Sequence, residues 1–158
     1  MKKAQLATPT AGSPVLQIQQ EDYVNAVVLD ETGQALVFEC PRPNGRGVYW
    51  HVLHYQLPHN ADPFTAVQTA LLHKTGHQTS HWAYLGSHVM SIEQPSGNGY
   101  FFCAQQARQT TTPQPNGHSP AAAKWVPLTD LRYALLDGRI AITSHALTVS
   151  LALLTLRQ

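Results

Sequence analysis

The chain has 158 residues, of which 43% are hydrophobic and only 12% are Asp, Glu, Lys or Arg, with a net charge of +1. That length suits one domain with a sizeable core, and the near-zero charge excludes a strong field for nucleic acid or an anionic membrane. Nine carboxylates in all make a multi-glutamate metal cluster hard to assemble anywhere, and the surface must rely on Gln, Thr, Ser, Asn and His. Residues 1–20 are polar, carry Pro9, Gly12 and Pro14, and show no period. They read as a flexible arm ending in a short strand around Val15 to Ile18, ahead of a single domain over 21–158. Lys2 and Lys3 precede no apolar run, so no signal peptide is read. Tyr23 to Leu29 and Gln34 to Glu39 read as the two strands of a hairpin around Asp30-Glu31-Thr32-Gly33. Pro41 to Gly47 is a loop, and Val48 to Leu57 is one or two strands.

Leu57-Pro58 closes that extended run, because proline removes a donor and disfavours helix before it. Asp62-Pro63 then suits an N-cap followed by proline at the first helical position. Phe64, Val67 and Leu71 fall at helical spacing with Ala70 beside them, and Gly76 is the expected stop. His81 to Met90 is a strand, Ile92 to Gly99 a loop, and Tyr100 to Ala107 a strand. Residues 109–120 form a polar, proline-containing, mobile loop. Ala123 to Val126 is a short strand. Thr129 is the expected cap of a helix reaching about Leu136, and Thr143 or Ser144 that of a last helix. The apolar segment Ile140 to Leu156 carries Thr143, Ser144, His145, Thr148, Ser150 and Thr155, so it reads as a core-facing helix rather than a membrane span. Cys40 and Cys103 lie in apolar strands and read as buried free thiols in a reducing cytosol; a disulfide is open to them, but nothing in the spacing requires one.

The order L-P, loop, D-P, helix, L-L-x-x-T-G over Leu57 to Gly76 resembles the Nudix box of Nudix hydrolases, closest to the ADP-ribose pyrophosphatase type. Trp82-Ala83-Tyr84-Leu85-Gly86, Trp125-Val126-Pro127-Leu128 and Asp137-Gly138-Arg139-Ile140 are similar to further segments of that family, in the same order. The resemblance covers residues 22–158. It implies an α/β fold, an α/β/α sandwich with a mixed central sheet, and hydrolysis of nucleoside diphosphate derivatives on Mg²⁺ or Mn²⁺ held by box glutamates. Where the family pattern ends R-E-U-x-E-E-x-G-U, with U apolar, this chain has Thr69 for the Arg and Ala70 for the next Glu. His73 and Lys74 stand for the Glu-Glu pair, and His59-Asn60 for the usual Gly-Gly. The following loop is shortened, so the first box glutamate is deleted. A further family glutamate falls near Gly97 or Asn98, and Glu93 is the sole carboxylate nearby. Mg²⁺ wants hard oxygen ligands, histidine is a poor substitute, and a lysine puts a positive charge where the cation would sit. The box therefore keeps its scaffold and lacks its carboxylates.

Other constellations carry less. Seven of the nine histidines lie between positions 51 and 88, namely His51, His54, His59, His73, His77, His81 and His88. His73 and His77 have the i, i+4 spacing of two metal ligands, but Gly76 interrupts them and no Cys is near. No G-x-S-x-G, P-loop or G-x-G-x-x-G before a helix is present. Tyr49, Trp50, Tyr55, Trp82, Tyr84 and Tyr100 offer stacking surfaces, but without the basic stripe of a nucleic-acid binder; core packing is their other reading. The reading reached is a Nudix-like cytoplasmic domain that binds a nucleotide-type molecule or a protein partner without hydrolysing it, with no cofactor, no membrane and no nucleic acid, and with a homodimer open to it. The alternative is a divergent hydrolase on Mg²⁺ or Mn²⁺ acting on a compound such as ADP-ribose. Candidate ligand contacts are Arg42 and Arg46, which also read as solvated loop residues, with Gln56, His59, Asn60, His73, Lys74 and Glu93.

Overall fold

The computed structural model describes residues 4–7, 15–18, 21–93, 97–114 and 121–156. Much of the 1–20 arm and residues 115–120 of the polar loop lie outside the described residues. Strands β1 (Ala4–Ala7) and β2 (Val15–Ile18) pair with each other antiparallel. The rest is one sheet of eight strands: β3 (Tyr23–Asp30), β4 (Ala35–Pro41), β5 (Val48–His51), β6 (Leu53–Gln56), β7 (His77–Gln78), β8 (His81–His88), β9 (Gly99–Gln109) and β10 (Ala122–Val126). The helices are α1 (Pro63–Thr75), α2 (Leu128–Asp137) and α3 (Thr143–Thr155). β3 and β9 run parallel and the other pairs antiparallel, so the sheet is mixed.

Strand alternation divides the core into two layers. Val24, Ala26 and Val28 pack with Phe102, Ala104 and the buried stripe Val67, Ala70 and Leu71 of α1. Val27, Leu29 and Cys103 face the other way, onto Val149 and Ala152 of α3 and Leu131 of α2. This is the α/β/α sandwich expected from the sequence. Both cysteines are buried and free. Among the described residues no helix is long and apolar enough to cross a membrane.

Four expectations need correction. The hairpin holds only at its turn, where Leu29 pairs Ala35; beyond it β6 takes β4's place beside β3. Phe64 is 40% exposed, because it lies at the rim of the α1 stripe. Thr129 does not cap α2, which begins one residue before it after Pro127. Neither Thr143 nor Ser144 caps α3: both lie inside it, and Ile142 stands at the cap. α1 begins and ends as expected. Asp62 Oδ2 accepts from the Thr65 amide at 2.9 Å, Pro63 opens the first turn, and Gly76 turns left-handed at φ 72°.

A bulge in β8 bears on the site. Tyr84 pairs Phe102 but Gly86 pairs Phe101, so one extra residue reverses the alternation. Trp82 and Tyr84 therefore face α1, whereas His88 turns to the α3 face and meets the Phe101 ring at 5.4 Å.

Gly76 is tightly constrained. A Cβ there would run into the Thr111 carbonyl, and the positive φ disfavours side chains besides. Gly76→Ala is expected to lower stability by about 2 kcal/mol or more, read as a lower urea midpoint; an unchanged midpoint would show that the 110–114 segment gives way freely.

Candidate functional site

Val52 is where the chain crosses from the β4–β5 pair to the β3–β6 pair. It is fully buried and belongs to no strand, so its amide lacks a ladder partner. The amide donates instead to Nδ1 of His145 on α3, at 3.1 Å, and the His51 ring donates to the Val52 carbonyl at 3.1 Å. His51 and His54 each come within 5.4–5.5 Å of the His145 ring, centroid to centroid. His54 Nδ1 donates to Asn25 Oδ1 at 2.7 Å, Asn25 donates to Thr148 at 3.2 Å, and Thr148 to the Ser144 carbonyl at 2.7 Å. A polar seam thus crosses the sheet from β6 to α3.

Lys74 reaches this seam from the opposite layer. Its ammonium donates to the His54 carbonyl at 2.7 Å and lies 5.7 Å from the Phe38 ring, on which His51 stacks. The residue as a whole is exposed, yet desolvation around the ammonium lowers its pKa. Burial pushes His145 down to about 3 and His54 down to about 4, and lowers His51; the Lys74 charge adds to all three. The three rings are neutral at neutral pH. In His145 this is required, because a protonated Nδ1 cannot accept from Val52.

A cavity of about 550 Å³ opens on the α3 face at the end of this seam. Glu21, Tyr23, His54, Gln56 and His88 form its sheet side, and Ile142, Ser144 and Leu147 its helix side. Burial raises the Tyr23 pKa against a hydrogen bond with Ser144. The Tyr23 ring lies where a side chain on Gly99 would be, and Asp22 clips the same sheet end by accepting the Asn98 amide at 2.9 Å.

The residues proposed from sequence are dispersed around this cleft. Gln56 lines it. Lys74 stands behind it, on the far side of His54. His59 and Asn60 line a neighbouring pocket at the turn before α1, where Asn60 adopts φ 62°, the left-handed conformation that asparagine tolerates. Arg42 serves the fold, donating to the carbonyls of Gly138 at 2.9 Å and Val48 at 3.3 Å. Arg46 is exposed in its loop, His73 is exposed on α1, and Glu93 accepts from Ser91 at 3.0 Å. Among the described residues no group of three or more His, Cys, Asp or Glu is placed to hold a metal ion. The sequence reading missed Tyr23, Ser144 and the His51–His54–His145 contact. The available signal was polar Asn25 inside the otherwise apolar strand Val24 to Leu29.

No family model and no curated protein matches the chain. A solved structure described as an ADP compounds hydrolase does match, with a TM-score of 0.69 and 10% identity, over 92% of this chain and 80% of that one. The fold is therefore the Nudix fold, and at that identity the fold is what the two share.

The histidines set an acid limit. Their folded pKa values lie below the ordinary 6.5, so the unfolded chain takes up protons first. Stability is full above pH 6.5 and falls as pH drops through 6.5 toward about 4 for His54 and about 3 for His145. A tenfold difference in proton affinity between the folded and unfolded chain is worth about 1.4 kcal/mol, so the summed loss is on the order of several kcal/mol. Urea midpoints measured across that range should fall steeply. His145→Gln, less stable at neutral pH, should lose less on acidification; an equal loss would place the acid sensitivity elsewhere.

Proposed function

We propose that the chain is a Nudix-fold domain that binds a nucleotide-type ligand in the cleft beside α3 and does not hydrolyse it. The observation that carries this reading is Lys74. At a position where the resemblance has a metal-binding glutamate, this chain has an ammonium hydrogen-bonded to the backbone of a cleft residue. From behind His54 that cation adds positive potential to the cleft without lining it and without a metal. It does not supply the polarised water that metal-assisted hydrolysis needs.

The residues present do not fit the Mg²⁺ or Mn²⁺ that the fold family implies. Thr69, Ala70, His73 and Lys74 offer no carboxylate, and Glu93 is an exposed residue paired with Ser91. The cleft volume is within the range of small-molecule sites. Tyr23 and His88 offer ring faces, and Gln56 an amide, for a base or sugar. The first turn of α3 has no side-chain cap and no acidic residue, which leaves amide donors and the positive end of its dipole for an anionic group. A protein partner at this cleft, and a homodimer through outward-facing Leu136 and Leu154, 83% and 85% exposed, are the other occupants this reading admits.

Thermal melts of the purified chain with ADP-ribose and other nucleoside diphosphate derivatives, in chelator, test the reading. A ligand present at about a hundredfold its Kd stabilises by about 2.7 kcal/mol, a rise of several degrees. The rise should shrink in Lys74→Met. A rise that appears only with Mg²⁺ or Mn²⁺, accompanied by turnover of the ligand, would sink the reading and establish the divergent hydrolase instead.

A further inference from the structure

The α1 face of the sheet carries a second groove. Its walls are Phe64, Trp82, Tyr84 and Tyr100 over a floor of Phe102, its volume is about 500 Å³, and Asp62 and Pro63 stand at one end. The rings do not lie flat on one another. Phe64 and Trp82 cross at 86° with centroids 5.9 Å apart, and Trp82 and Phe102 cross at 86° at 6.3 Å. The Trp82 orientation is fixed by its Nε1, which donates to the Thr79 carbonyl at 3.0 Å. Tyr84 is 58% and Phe64 40% exposed, so aromatic faces that the fold could have buried remain in water.

Pro63 and Tyr100 also line the adjoining pocket at the turn before α1, of about 530 Å³, so the two run on as one groove. The far half is polar, with Glu21, Asp22, His59 and Asn60. Three of the chain's nine carboxylates, Glu21, Asp22 and Asp62, line this groove, and no Lys or Arg does. In a chain so poor in charge, that distribution favours a cation. The groove therefore complements a ligand with an apolar, ring-stacking part and a positively charged part, arranged along a line.

An extended peptide has that form. Proline rings in a polyproline helix stack in aromatic-lined slots, and a guanidinium or ammonium binds both carboxylates and aromatic faces. We propose that this groove docks a basic, proline-containing segment of a partner protein, its prolines among Phe64, Trp82 and Tyr84 and its cationic side chain at Glu21 and Asp22. Two pockets end to end suit a peptide better than a compact metabolite. Glu21 also borders the cleft beside α3, so the two surfaces meet at that residue, while the aromatic half of the groove lies on the opposite face.

Fluorescence anisotropy of a labelled peptide, arginines followed by a run of prolines, titrated with the full chain, tests the proposal. Saturable binding is expected. Tyr84→Ala, on an exposed side chain, should weaken it about tenfold or more while leaving the melting curve unchanged. Glu21→Gln should weaken the arginine peptide but not one with alanine in place of arginine. Absence of saturable binding up to about millimolar protein, or binding that Tyr84→Ala leaves intact, overturns the proposal. So does equal binding of the alanine-substituted peptide. Displacement by tetramethylammonium with no advantage for the peptide overturns it too, and leaves a small alkylammonium ligand as the occupant.

Discussion

The buried amide of Val52 is the constraint on which the rest of this structure depends. A sheet whose second strand leaves the first, to let a later strand in, needs a crossing point, and at the crossing the backbone has no ladder. Water is excluded there, so the amide and carbonyl must find side chains; an unmet buried group costs about 1–3 kcal/mol. His145 and His51 meet that need. The consequence reaches far. α3 is pinned to the crossing through His145, the His145 proton is confined to Nε2, and the ring must stay neutral. The neighbouring His54 orders Asn25 and Thr148, so the floor of the α3 cleft is an extension of the same network.

Lys74 belongs to the same network. A cation beside three rings that must remain neutral is a consistent arrangement, because its field disfavours protonation of each of them. A glutamate at the same place would act the other way, raising the histidine pKa values and drawing a proton into the crossing. The lysine at position 74 and the histidine seam are therefore physically coupled. Elsewhere charge contributes little. The two ion pairs among the described residues, Lys124–Glu39 at 3.6 Å and Arg139–Asp137 at 2.9 Å, are peripheral, and exposed pairs of this kind are worth about 1 kcal/mol or less. Stability rests on the two apolar layers and the seam between them.

What was legible in the sequence was local. α1 announces itself through Asp62, Pro63, the stripe Val67, Ala70 and Leu71, and Gly76, because cap, period and stop all lie within one short stretch. The strands announce themselves through β-branched and aromatic runs. The splayed hairpin does not, since the turn at Asp30 to Gly33 is equally good whether or not β6 later displaces β4. The caps of α2 and α3 misled for a related reason. Thr129, Thr143 and Ser144 are good capping residues, but Pro127 and Ile142 are placed by the strand and loop before them, and tertiary packing overrides the preference. The cleft was the least legible part. His145 is 93 positions from the amide it accepts, and the turn of His88 onto the α3 face depends on a bulge with no compositional signal beyond Gly86.

The helix α1 shows how this fold is held without carboxylates. α1 is held by Val67, Ala70 and Leu71, by Asp62 at its start and by Gly76 at its end, and none of these needs a metal. In the family this chain resembles, the carboxylates lie on the same helix and repel one another without a cation. A helix without them lacks that repulsion and keeps its packing, so the fold alone does not carry an activity. Ala70 shows it most directly. It stands where the resemblance has a glutamate, and it is 5% exposed in the core layer under α1. A glutamate there would need room and a counter-charge that this layer, lined by Leu53, Leu57 and Phe102, does not offer. Ala70 is thus committed to the core, and a glutamate at this position would mean rebuilding the layer beneath it.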